Sequence, residues 1–191
     1  KPEDAPLVYQ GAVAALGKVD ILINNAGGSR GGTFLEPTDA QWHETFELNL
    51  FGAIRLTRLS LPAMIERGWG RVIFTSSIYG REFGGNPTYQ TAKAAVISLS
   101  KNLARQLAPT GVTVNAIAPG SIIFPGGGWQ RRADTLGPEW ERDFIERNLP
   151  LGRFGRPEEI AAVVVYMCSE PASLWTGTAV NVDGGQSWSL I

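Results

Sequence analysis

The sequence predicts an α/β domain, a parallel sheet with helices on both faces. Three observations predict it. Short apolar bursts alternate with longer segments in which apolar residues recur every three or four positions. The bursts are apolar at consecutive positions, which suits strands buried on both faces and so a parallel sheet covered on each side. Gly and Pro cluster where one pattern gives way to the other. With 191 residues the chain has room for one such domain, and no internal repeat or low-complexity tract divides it.

The elements follow in order. Leu7, Val8, Val13 and Leu16 keep helical spacing and Gly17 is placed to stop the helix. Val19 to Ile23 is a short Ile-rich burst, read as a buried strand. Thr38 with Gln41 makes a capping box. After it Trp42, Phe46, Leu50, Ile54 and Leu61 predict a helix to about Arg67, kinked at Pro62 and stopped by Gly68. Arg71 to Thr75 is a second strand, followed by a Gly-rich loop from Gly80 to Pro87. An Ala-rich helix runs from Thr88 to Leu107, and Val112 to Ala118 is a third strand, halted by Pro119-Gly120. Ser121 to Gly137 reads as a long irregular stretch on the sheet's ligand side. Helices follow at Pro138 to Arg147 and Pro157 to Cys168. Thr178 to Val182 is the last strand, closed by an Asp183-Gly184-Gly185 turn.

Composition narrows the function. Hydrophobic residues make up 43% and charged residues 18%, enough to build a core and not the profile of a disordered chain. Seventeen Lys+Arg against eighteen Asp+Glu leave a formal charge of −1, which argues against nucleic acid as a partner. The apolar run ending at Cys168 is too short to span a membrane, and the first residues do not read as a secretory signal. One cysteine excludes an internal disulfide framework, and one histidine, His43, cannot by itself make a metal site. The expectation is a cytoplasmic protein with no metal, no membrane and no nucleic-acid partner.

Polar residues gather at the carboxyl ends of the strands. Tyr89 and Lys93 stand four apart on one helix face. A tyrosine is a poor acid or base at neutral pH, and a cation held close lowers its pKa. Such a pair can give a proton to a carbonyl oxygen or take one from a hydroxyl. Ser76 and Ser77 end one strand, Asn24-Asn25-Ala26-Gly27 another and Pro119-Gly120 a third. Asn49 sits among apolar residues in mid-helix, where its propensity is poor.

In this order and spacing, Asn24-Asn25-Ala26-Gly27, Asn49, Ser76-Ser77, Tyr89-x-x-x-Lys93 and Pro119-Gly120 resemble the short-chain dehydrogenase/reductase family. So do Pro150-Leu151-Gly152-Arg153-Phe154-Gly155 and Val182-Asp183-Gly184-Gly185, and the resemblance extends over the whole chain. It implies a Rossmann-type doubly wound sheet over residues 1–191, with a substrate-side loop or lid at 121–149. It also implies an NAD- or NADP-dependent oxidoreductase interconverting a carbonyl and a secondary alcohol, with 3-oxoacyl-carrier-protein reductases as similar members. Carried over, Tyr89 is the general acid/base. Lys93 lowers its pKa and holds the nicotinamide ribose. A serine orients the carbonyl, and Asn49 supports a water linking Lys93 to solvent. Asn24, Ala26 and Gly27 flank the adenosine side of the cofactor crevice. Pro119, Gly120 and Ile122 lie beside the nicotinamide. The family also implies a homodimer or homotetramer paired through its long helices and last strand.

The chain departs from the family in three places. Spacing to Tyr89 selects Ser76 as the catalytic serine, whereas the Ser-x-x-Gly pattern ending at Gly80 selects Ser77; Ser77 is preferred. Phe124 stands where the family often has a Thr bonding the nicotinamide amide, so Ser121 or a backbone group has to substitute. The Gly-rich strand–turn–helix with which the family opens has no counterpart here. Gly27-Gly28-x-x-Gly31-Gly32 follows the wrong strand and is read as a mobile crevice loop. The expectation is a longer chain whose opening units lie beside Val19 to Ile23. The alternative is a non-catalytic fragment or pseudoenzyme that associates through its helices.

Overall fold

A computed structural model describes residues 2–29 and 32–190. Gly31, part of the glycine cluster singled out above, lies outside the described residues. The elements are α1 (Asp4–Leu16), β1 (Ile21–Asn24), α2 (Asp39–Phe46), a π turn (Glu47–Phe51), α3 (Gly52–Arg67), β2 (Gly70–Thr75), α4 (Pro87–Leu107), β3 (Val112–Pro119), α5 (Gly128–Asn148), α6 (Pro157–Cys168) and β4 (Ala179–Val182). The four strands form one parallel sheet in the order β1-β2-β3-β4.

Alternation along the strands sends side chains to two cores. Val72 and Phe74 of β2 join Val112, Val114 and Ala116 of β3 against α3 and α4 through Met64, Val96, Ala104 and Leu107. Ile73 and Ile117 point the other way, onto Met167 and Cys168 of α6. β2 and β3 are thus covered on both faces, as their consecutive apolar positions predict. The first strand, expected to be buried, is instead an edge strand, with Ile21 45% and Ile23 39% exposed. Cys168 is a buried packing residue whose thiol is pushed up by burial.

Local signals explain the boundaries. Gly17 and Gly68 end α1 and α3 at φ 77° and 67°. Both halves of the Thr38–Gln41 capping box are formed. Two expectations are corrected. The long second helix is not α-helical throughout: a π turn, Glu47–Phe51, is inserted between α2 and α3, and α3 continues through Pro62. Residues 128–136 are helical; Gly137, at φ 87° and ψ 173°, is the break between two helical pieces. Aromatic packing overrides the weak local propensity there, because Trp129 lies 4.6 Å from the Phe144 ring and 5.6 Å from that of Phe154.

Candidate active site

Tyr89 is delivered by the first turn of α4. Asn86 caps that turn, its Oδ1 accepting from the Tyr89 amide at 3.1 Å, and Pro87 supplies a preset first helical residue. Ser77 lies beside the Tyr89 hydroxyl, close enough to pull its pKa down. Ser76 faces elsewhere: its Oγ donates to the Lys93 carbonyl at 2.8 Å, tying β2 to the backbone of α4. Ser77 Oγ also accepts from the Tyr79 amide at 3.2 Å. Gly80 explains the Ser-x-x-Gly pattern. A Cβ there would lie 2.7 Å from Ser76 Oγ and 2.8 Å from the Lys93 carbonyl, so this turn packs directly on α4.

Lys93 is 2% exposed. Its Nζ lies 5.5 Å from the centre of the Tyr89 ring and donates to the Thr75 carbonyl at 2.7 Å. Burial is the dominant electrostatic influence on both residues. It pushes the Tyr89 phenol up from its ordinary value, against a smaller downward pull from Ser77. It brings the Lys93 ammonium down to about 8. For Tyr89 burial outweighs the downward influences, because it penalises the charged form, so the phenol stays above its ordinary value.

Asn49 lies in the π turn, where it is 3% exposed. Its Oδ1 accepts from the Gly28 amide at 3.2 Å. Its Nδ2 donates to the carbonyls of Gly28 at 2.7 Å and Thr45 at 2.8 Å. The side chain therefore pins the chain after β1 and makes no bond to Lys93. Gly27 closes the contact. A Cβ there would lie 2.9 Å from both Asn49 Oδ1 and Lys93 Nζ. Asn24 turns its amide inward to Thr57 Oγ1 at 3.0 Å and is buried, whereas Ala26 is exposed. Asn24 Oδ1 is buried without a partner.

The opposite wall is Pro119-Gly120. The Gly120 amide donates to the Val182 carbonyl at 3.2 Å, and a Cβ on Gly120 would strike Asp183 and Gln186, each 2.7 Å away. Ser121 is engaged by Gln186: its amide donates to Oε1 at 2.7 Å and its Oγ accepts from Nε2 at 3.0 Å. Ile122 pairs with Gly155. A cavity of about 140 Å³ opens between Ser121, Ile122, Leu149 and Val182. Phe124 is half-exposed beyond it. Above this wall Trp129, Trp140, Phe144 and Phe154 pack on one another. Arg132 lies 5.7 Å from the Trp129 ring and 5.9 Å from that of Trp140.

Sequence reasoning missed three residues that organise the site: Asn86, Gln186 and Glu82. Asn86 before Pro87 carried a helix-start signal. Nothing local marked the other two, whose partners lie 65 and more than 100 positions away.

The arrangement fits the ribose end of a dinucleotide. Lys93 Nζ makes one hydrogen bond of its possible three and faces a glycine with no side chain to fill the space. Among the described residues no group of three or more His, Cys, Asp and Glu side chains is placed to hold a metal ion. No helix among them is long and apolar enough to cross a membrane.

A family model described as enoyl-(acyl carrier protein) reductase matches residues 1–187. The 3-oxoacyl-(acyl-carrier-protein) reductase of Aquifex aeolicus is 43% identical over 170 residues, covering 87% of this chain and 65% of its own length. Nodulation protein G of Azospirillum brasilense is 43% identical over 176 residues, 92% of this chain and 69% of its own. L-Sorbose reductase from Gluconobacter frateurii, solved in complex with NADPH and L-sorbose, superimposes with a TM-score of 0.93 at 34% identity, covering all of this chain and 74% of that one. The chain thus spans about two thirds to three quarters of the proteins it matches.

Proposed function

The chain belongs to the short-chain dehydrogenase/reductase family, and on that premise we propose that it reduces a carbonyl to a secondary alcohol, reversibly, with NADPH or NADH. The observation that carries this reading is the convergence on Tyr89 of Ser77, beside its hydroxyl, and of Lys93 Nζ, 5.5 Å from the centre of its ring. The dinucleotide supplies the hydride and the electrons.

The protein's share is positioning and proton transfer. Ser77 Oγ lies where a carbonyl oxygen can take its hydrogen bond, which strengthens as negative charge develops on that oxygen. Tyr89 Oη then gives up its proton to the same oxygen. Burial keeps Tyr89 protonated well above neutral pH, the form reduction needs. Lys93 provides positive charge beside the phenolate left behind and two spare donors toward ribose hydroxyls. Asn49 holds the Gly27–Gly28 backbone against Lys93, and Pro119, Gly120 and Ile122 form the nicotinamide wall. Residues 121–149 serve as the substrate-side lid on a single domain over 1–191. A homodimer or homotetramer working in the cytoplasm completes the proposal.

The reductase relatives and the intact Tyr89–Ser77 pair favour this reading over a non-catalytic fragment. The test is an assay of the full-length protein with NADPH or NADH against a panel containing a 3-oxoacyl thioester and L-sorbose. The expected result is equimolar cofactor oxidation and alcohol formation with at least one carbonyl. Cofactor binding without oxidation across a broad panel of ketones and aldehydes would overturn it.

A further inference from the structure

The C-terminal segment is fastened to both sides of the crevice. At Asp183 the chain turns, the carboxylate accepting from the amides of Gly185 at 3.0 Å and Ser187 at 2.8 Å. Gln186, 8% exposed, then grips Ser121 on the Pro119-Gly120 wall. The next three residues reach the other wall. One oxygen of Glu82, Oε2, accepts from Ser187 Oγ and from the amides of Trp188 and Ser189, all at 2.8 Å. Glu82 belongs to the loop between Ser77 and Tyr89. Its carbonyl accepts from Gln90 Nε2 at 3.0 Å, beside Tyr89, and its charge bears on Tyr79, whose ring packs against Gly84 and Gly85.

That loop needs an anchor. It carries Gly80, Gly84 and Gly85, two of them at positive φ, so its own backbone fixes little. Arg81 ties one side of it to the Ala179 carbonyl of β4. Glu82 ties the other to the C-terminal segment. A carboxylate suits this role because charge-assisted bonds to backbone amides are about twice as strong as neutral ones.

We propose that Glu82 is a positioning residue whose carboxylate clamps residues 187–189 onto the loop between Ser77 and Tyr89, making the C-terminal segment one wall of the carbonyl pocket and setting its width. The clamp touches substrate geometry and leaves the cofactor side alone, since Gly27 and Gly28 are held separately by Asn49. This role rests on the oxidoreductase reading above.

The experiment compares full-length wild type, Glu82→Ala, Glu82→Gln, a truncation after Gln186, and the truncation combined with Glu82→Ala. Hydrogen exchange reads the clamp without reference to activity: the amides of Trp188 and Ser189 should lose protection in Glu82→Ala. Steady-state kinetics read its consequence. KM for the carbonyl should rise about tenfold in Glu82→Ala and in the truncation, with less effect on kcat and none on KM for NADPH. Glu82→Gln, which keeps an acceptor oxygen, should fall between. The double variant should match the truncation, because Glu82→Ala removes only bonds that the truncation already removes. An active enzyme in which both single variants keep the wild-type carbonyl KM would overturn the clamp alone. So would single effects that multiply in the double variant, or a KM for NADPH that rises in step. A wild type that turns over no carbonyl would overturn the oxidoreductase reading, and this role with it.

Discussion

Two neighbouring serines show how much one residue position decides. Spacing to Tyr89 favoured Ser76 and the local glycine pattern favoured Ser77; the two criteria differ by one position, and Ser77 was preferred on the glycine pattern. Geometry separates them because successive side chains at a strand end point to opposite sides. Ser77 meets Tyr89, and Ser76 is spent on the Lys93 carbonyl. Ser77→Ala should therefore lower kcat by about a hundredfold, the scale of losing one donor to developing oxyanion charge. Ser76→Ala should act chiefly on stability, and a larger loss of kcat from Ser76→Ala would reverse the assignment. Lys93 makes a pH prediction. Its folded value is about 8 and its unfolded value 10.5. Between those values the unfolded chain binds more protons, so stability contributed by this site rises with pH from about 8 to 10.5 and is lost below. Holding the ammonium there costs the fold about 3 kcal/mol at neutral pH. In urea titrations wild type should gain on Lys93→Met by a comparable amount across that window. Parallel pH profiles for the two proteins would contradict it.

At the scale of elements, periodicity located the helices and strands to within a few residues but hid two irregularities. Trp42, Phe46, Leu50 and Ile54 step by four each time, a spacing that the wider π turn at Glu47–Phe51 accommodates and that a straight helix would slowly rotate away from its core. The first half of α5 was hidden because Gly126-Gly127-Gly128 and Gly137-Pro138 are breakers, and its stabilisation comes from aromatic contacts far along the chain. The candidates Tyr89, Lys93, Ser77, Asn49 and Gly27 could be singled out in the sequence because their order and spacing form a joint pattern. The role of Asn49 as a clasp on Gly28 could not, since it depends on a backbone 21 positions away. The turn at Gly80 offers a test at this scale. Gly80→Ala places a methyl against the Lys93 backbone and should destabilise by roughly 1–3 kcal/mol in denaturant unfolding. A change within about 0.5 kcal/mol would show that the turn can move off α4.

Across the whole molecule, the parallel sheet places every strand's carboxyl end on one side, and the candidate site uses all four ends together with α4. Apolar surface remains on other faces: Val165 of α6 is 70% exposed and Leu174 just beyond it 96%. Patches of this kind suit self-association, and sedimentation velocity at micromolar concentration should report a dimer or tetramer; a monomer would contradict the proposed assembly. The oxidoreductase reading turns on one proton, carried by the Tyr89 hydroxyl at the meeting point of α4 and β2. The most direct test is Tyr89→Phe in the full-length protein, measured for kcat, NADPH affinity and melting temperature. The substitution removes the transferable proton and almost no volume, so kcat should fall by at least about a hundredfold while affinity and melting temperature stay near wild type. A variant that binds NADPH, melts normally and keeps a tenth or more of the wild-type kcat would contradict the account.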